Sequence, residues 1–150
     1  MTGPADRTVA AIVADARRIL EAAGLGDADL VGVGWATVEL DRAESEFAAS
    51  VGFAGGGWAD APRDALLGAT ARLGPEMAPG GPRLVLLEPD TEGRLAASLA
   101  RHGEGLAVAY VALQRDTAGW SPVAEGPLGP ACLRPGPVAG PHLVALALPS

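Results

Sequence analysis

Few side chains in this sequence of 150 residues have chemistry to offer near neutral pH: two histidines, one cysteine and one tyrosine. His102 stands at the end of a short helical pattern, where a cation complements the helix dipole and a structural role fits. His142 opens an apolar run after Pro141 and is the better candidate for an acid or base. Neither has a neighbouring Asp or Ser in sequence that would suggest a triad. Cys132 is alone, which excludes an internal disulfide and a cysteine metal cluster, and reads as a small buried hydrophobe. Glu88, in a Leu-Leu-Glu-Pro turn, reads as a partner for turn amides rather than a base. Trp35, Trp58 and Trp120 stand out beside only two Phe. Trp58 and Trp120 lie in loop-like stretches, where aromatics often contact ligands.

Several kinds of chemistry are absent. All eleven basic residues are arginine, so there is no Schiff-base or phosphate-loop lysine. The arginines are scattered in a chain of net charge -7 and form no basic stripe, which argues against nucleic acid. The Gly32-Val33-Gly34 pair lies inside an apolar run and lacks the third glycine of a dinucleotide fingerprint. No apolar run reaches the roughly 18 residues that span a bilayer. The N-terminus lacks the basic start of a secretory signal. With one cysteine, the expectation is a cytoplasmic protein and no membrane partner. The heavy Ala, Gly, Pro and Arg usage points to a high-GC bacterial source.

These residues must be placed by the elements around them. A 49% hydrophobic fraction over this length predicts one domain with a real core. Apolar residues recur at helical spacing from Val9 to Ala23, and Gly24 stops the pattern, predicting an amphipathic helix over 8–23. Residues 30–40 read as a strand whose Gly32, Gly34 and Ala36 leave one face nearly bare, either for close packing or for a ligand. Asp41, with Glu44 three residues on, resembles a capping box for a short helix that turns Ala43 and Phe47 inward. Residues 61–73 fit either a helix or a strand, and the spacing of Leu66, Leu67, Thr70 and Leu73 slightly favours the helix. Residues 83–113 read as strand, turn, short helix (Leu95, Ala96, Leu99) and strand, with the helix ending at His102-Gly103. Residues 114–130 are loop-like. Short strands at 131–133 and 143–148 close an α+β chain.

The stretch LVLLEPDTEGRLAASLARHGEGLAVAYV resembles the middle of the vicinal-oxygen-chelate superfamily, in particular its methylmalonyl-CoA epimerase-like members. VGVGWATVELDRAESEF is similar to the family's opening strand and helix start, and GPACLRPGPVAGPHLVALAL to its closing hairpin. The resemblance implies paired βαβββ modules whose mixed sheet curls around a pocket over residues 30–150, with residues 1–29 as an N-terminal helical extension. The second module is shortened, since the chain between Leu106 and Leu143 is too short for a helix and three strands. The extra helix at 8–23 is expected to cover the sheet surface that the missing helix leaves bare.

The family's four metal-ligand positions fall on Gly32, Val85, Val108 (or Ala107) and Ala145, none of which has a donor atom, so neither a metal nor another cofactor is expected. Strand alternation as in the family turns Gly32, Gly34, Ala36, Val85, Leu87, Val108, Tyr110, Leu143 and Ala145 toward the pocket. Arg83 stands near its mouth, and Trp58 and Trp120 are placed to rim it. That is an apolar cavity with few polar groups, as ligand sites commonly are; the alternative is that these residues have filled it and are ordinary core. Two functions follow from the resemblance. One is a metal-independent enzyme of secondary metabolism that shapes an apolar or acyl-thioester substrate for cyclisation or isomerisation, with Tyr110, Arg83 and His142 as catalytic residues. The other is a protein that binds and sequesters or carries such a molecule. The resemblance further implies a homodimer.

Overall fold

The computed structural model describes residues 9–49, 58–77, 80–113 and 117–147. In chain order the elements are α1 (Val9–Ala22), β1 (Asp29–Ala36), α2 (Leu40–Ala49), β2 (Ala59–Asp64), β3 (Ala69–Glu76), β4 (Arg83–Pro89), α3 (Arg94–His102), β5 (Gly105–Ala112), β6 (Ala131–Leu133) and β7 (His142–Leu146). The seven strands form one mixed sheet in the order β2-β3-β4-β1-β5-β7-β6.

Two halves of this sheet repeat one another. In the first, β1 runs parallel to β4, which is antiparallel to β3, which is antiparallel to β2. In the second, β5 runs parallel to β7, β7 antiparallel to β6, and Ala124 makes an isolated antiparallel bridge to Ala131 of β6. That bridge is what remains of the second module's outer strand. The halves join through the antiparallel β1–β5 pair. The outer ends of the sheet also meet: the Ala65 N–H, just past β2, donates to the Glu125 carbonyl at 2.9 Å. The sheet is thus a half-barrel drawn almost shut.

Each face of the sheet carries its own core. On the convex face α1 and α2 bury Ile12, Ala16, Leu20, Ala43 and Phe47 against Val33, Trp35, Leu84, Leu86, Ala109 and Val111. Trp35 meets Phe47 edge to face, with ring centroids 5.3 Å apart. Helix α1 packs on β5 and β1, so it lies on the sheet rather than apart from it, and no helix follows β5 among the described residues. On the concave face Leu95 of α3 packs with Val85, Leu87, Val108, Tyr110 and Leu67.

The Leu-Leu-Glu-Pro and Gly-Glu-Gly turns have a common task. The Glu88 carboxylate accepts the Leu40 N–H at 3.1 Å, at the start of α2. Glu104 accepts the Val38 N–H at 2.8 Å and the Thr37 hydroxyl at 2.9 Å, and pairs with Arg42. Two acids from distant turns therefore hold the β1–α2 corner, supplying acceptors to amides that a helix start leaves open. Asp41 is not the cap that its capping-box spacing suggests. It lies inside the first turn of α2, exposed, and pairs with Arg72 at 2.7 Å.

Residues 61–73 form the end of β2, a tight turn and the start of β3, not the helix that their spacing slightly favours. Asp64 decides this. Its Oδ1 accepts the Leu67 N–H at 3.0 Å, and its carbonyl accepts the Gly68 N–H at 2.9 Å. Gly68 has φ 74°, a conformation that suits glycine and ends a helix. Pro62 is tolerated because β2 is an edge strand with a register shift between Ala61 and Asp64. The strand expected over 30–40 ends at Ala36, because Leu40 already begins α2; the other expected elements form within a residue or two of their predicted limits. Thr8, residues 50–57, 78–79 and 114–116, and Leu148 lie outside the described residues.

Candidate active site

The concave face is built from β1, β4 and β5. Gly32 and Gly34 of β1 stand opposite Tyr110 and Val108 of β5, and Gly34 and Ala36 stand beside Val85 and Leu87 of β4. Gly32, Gly34, Ala36, Val85, Leu87, Val108 and Tyr110 share this face as alternation predicts, and Trp35 turns to the other side.

Strand β7 departs from the expected parity. Its register sets His142 beside Val108 and Val144 beside Tyr110. Val144 therefore joins the concave core, while Leu143 and Ala145 belong to the convex core and do not face the site. A period of two makes a one-residue slip reverse every side chain of a strand, and five residues after a proline-rich turn do not reveal their own register.

The bare strand is not open space. A Cβ built on Gly32 would fall 2.5 Å from Leu128 Cδ1 and 3.2 Å from the Tyr110 ring. On Gly34 it would collide with the Val108 side chain and fall 2.9 Å from Leu87 Cδ1. The chain's own side chains fill the space over these glycines. Leu128, from the segment after β5, lies over the site.

One polar pair is buried there. The Tyr110 hydroxyl donates to Asp64 Oδ2 at 2.8 Å, and the two residues are each 1% exposed. Burial pushes the Asp64 carboxyl above its ordinary pKa, against the opposing pull of the Tyr110 hydroxyl and the Leu67 amide. Burial, with the Asp64 charge beside it, pushes the Tyr110 phenol well up. A carboxyl held upward beside a neutral phenol is a proton-exchanging group next to a hydrogen-bond donor.

Arg83 and His142 do not join this pair. Arg83 Nε donates to the Gly74 carbonyl at 3.0 Å, fastening β4 to β3. His142 is 3% exposed and borders a hollow of about 50 Å³ with Arg134, Pro135, Gly136, Pro137, Pro141 and Leu143. Burial, and then the Arg94 charge, lower its pKa to about 4, so the ring is neutral at physiological pH. The two loop tryptophans do not rim the concave face either. Both pack against the convex core. Trp58 borders a surface hollow with Glu44, Asp60 and Arg72, and Trp120 another with Gly119, Arg134 and Pro135.

Sequence reasoning missed Asp64 and Leu128. For Asp64 a signal existed, the Asp-x-x-x-Gly spacing of a turn that orients its carboxylate inward. For Leu128 there was none, since a lone leucine in a proline- and glycine-rich loop has no period to place it.

The family's metal does not fit these residues. With β7 in its observed register the four ligand positions are Gly32, Val85, Val108 and Val144, which offer no nitrogen, oxygen or sulfur side-chain donor. Among the described residues no group of three or more His, Cys, Asp or Glu is placed to hold an ion.

No family model matches this sequence, and no curated protein matches it significantly. Solved structures do resemble its fold. Methylmalonyl-CoA epimerase from Mycobacterium tuberculosis has a TM-score of 0.60 at 18% identity, covering 80% of this chain and 89% of that one. A single-substitution variant of the Streptomyces coelicolor methylmalonyl-CoA epimerase, in complex with 2-nitronate-propionyl-CoA, has a TM-score of 0.58 at 18% identity, with 80% and 98% covered. A hypothetical protein, BH1468 from Bacillus halodurans, has a TM-score of 0.55 at 15% identity, with 82% and 97% covered. At these identities the likeness is one of fold, which the chain shares with these proteins.

Proposed function

We propose that this chain is a metal-independent isomerase that moves a proton next to the carbonyl of an apolar acyl compound, with Asp64 and Tyr110 as its reactive pair. The observation that carries this is the buried Asp64–Tyr110 contact at 2.8 Å, on the face that the fold curls around. The structural neighbours of named activity are epimerases of an acyl-CoA, which supports an acyl substrate. Asp64 as carboxylate takes the proton from the carbon beside the carbonyl. The electron pair moves onto the carbonyl oxygen, to which the Tyr110 hydroxyl donates once Asp64 carries the proton and no longer accepts from it. Once the planar enolate has turned in the site, return of a proton from Asp64 to the opposite face of that carbon restores the carbonyl with the configuration inverted, so charge and atoms balance. The apolar walls exclude water, which strengthens both interactions. Location in the cytoplasm, a homodimer and a place in secondary metabolism belong to the same reading.

The test is solvent deuterium incorporation beside the carbonyl of short acyl N-acetylcysteamine thioesters, with and without a chelator. Exchange that survives the chelator and falls at least about a hundredfold in Asp64→Asn is expected. Unchanged exchange in that variant refutes the assignment. A second reading, a carrier or sequestering protein, is favoured by Arg83 bonding the Gly74 carbonyl and His142 bordering a separate hollow. Saturable binding of the thioesters without exchange in any of them would establish it.

A further inference from the structure

Leu128 lies over Gly32 on the concave face although it is only half-buried and belongs to no strand or helix. Its segment is bonded along β6, through Ala124 to Ala131 and through Ser121 to Leu133. Across the barrel mouth, the backbone bond from Ala65 to Glu125 joins it to the β2–β3 turn. The mouth is therefore closed by that bond, by the side chain of Leu128 over Gly32, and by Tyr110 reaching Asp64.

We propose that Leu128 is a built-in stand-in for the ligand: it fills a subsite over Gly32 that accepts a short branched aliphatic group, and binding displaces it by parting the Ala65–Glu125 seam. This rests on the concave face being the ligand site, as proposed above. Its shape argument is independent of the chemistry. The space over Gly32 is bounded by the Tyr110 ring and by the strand backbone, and it is filled by an isobutyl group. A cavity packed around a leucine is matched by a ligand branch of the same size and disfavours a longer or shorter one. Gly32 has no side chain because anything larger would exclude Leu128 and ligand alike. Opening at the seam would also bring Tyr110 and Asp64 within reach of the rest of the ligand.

The probes are the isovaleryl and acetyl thioesters of N-acetylcysteamine, titrated by calorimetry. The unaltered protein is expected to bind the isovaleryl compound at least about tenfold more tightly than the acetyl one, since burial of the added methylene and methyl groups is worth that much. Leu128→Ala is expected to tighten isovaleryl binding about tenfold or more, because the internal competitor is gone. Val111→Ala, which makes space in the convex core, is expected to leave it unchanged. In a Cys132→Ala background, a disulfide between Ala65→Cys and Glu125→Cys is expected to abolish binding until reduced. The proposal is overturned if Leu128→Ala binds no more tightly than the unaltered protein, if Val111→Ala gains as much, or if the oxidised seam binds as well as the reduced one. Binding is read apart from turnover. Exchange that persists in the oxidised protein defeats the plug and leaves the isomerase standing, whereas seam-dependent binding with no exchange does the reverse.

Discussion

Replacing Tyr110 by Phe isolates the buried side-chain contact between Tyr110 and Asp64 in the concave core. The substitution keeps the ring that packs on Gly32 and Gly34 and removes only the hydroxyl that Asp64 Oδ2 accepts at 2.8 Å. Asp64 retains the Leu67 amide on its other oxygen. When Asp64 is ionised, the lost bond is charge-assisted, worth roughly 1.5–3 kcal/mol; when it is protonated, the loss is that of a neutral bond, roughly 1 kcal/mol. The pH dependence follows from the sign of the Asp64 shift. Its folded pKa lies above the unfolded value because of burial, so the folded state holds the proton more tightly. Stability conferred by protonated Asp64 is full below the unfolded pKa and declines as pH rises through the folded one. Without the hydroxyl the folded pKa climbs further, and the decline steepens. Urea unfolding of both proteins at pH 4 and pH 8 should therefore show Tyr110→Phe destabilised by about 1 kcal/mol at the lower pH and about 2–3 kcal/mol at the higher. Asp64→Asn should flatten the pH dependence, since its amide still accepts from Leu67 and does not titrate. Equal losses at both pH values would mean that Asp64 does not ionise in the folded protein, and the reasoning would fall.

Other outcomes follow from the same structure. His142, neutral and lowered to about 4, binds its proton less readily in the folded than in the unfolded state. Its contribution of at most about 3 kcal/mol is complete above the unfolded pKa of about 6.5 and is lost as pH falls toward 4; His142→Gln should remove that acid sensitivity in thermal melts. Glu104→Ala strips acceptors from the Val38 amide and the Thr37 hydroxyl. It should cost about 1–3 kcal/mol in urea unfolding, whereas Asp41→Ala, at an exposed position, should cost under about 1 kcal/mol. Leu20→Ala in α1 should cost about 2–5 kcal/mol, measured the same way, because that side chain is buried between the helix and the sheet. A loss below about 0.5 kcal/mol would mean that α1 does not serve as the missing helix.

Much of the architecture was legible because the signals were local. Helix α1 announces itself by a period of 3.6 that ends at Gly24, and β4, α3 and β5 by apolar runs separated by Pro89 and Gly103. The resemblance of residues 84–111 to a known family held for the fold because the two turn acids there, Glu88 and Glu104, perform a structural task that the topology requires.

Local pattern and residue type were thus enough for the elements other than β2 and β3 and for the bare face of β1. How that face is filled was settled only by the folded chain. Asp64 lies 46 positions from Tyr110 and Leu128 lies 96 from Gly32, so no local period could join them, and only the curl of the sheet brings each pair into contact. The parity of β7 was likewise set by its pairing with β5, because a strand of five residues takes its register from the neighbour to which it bonds.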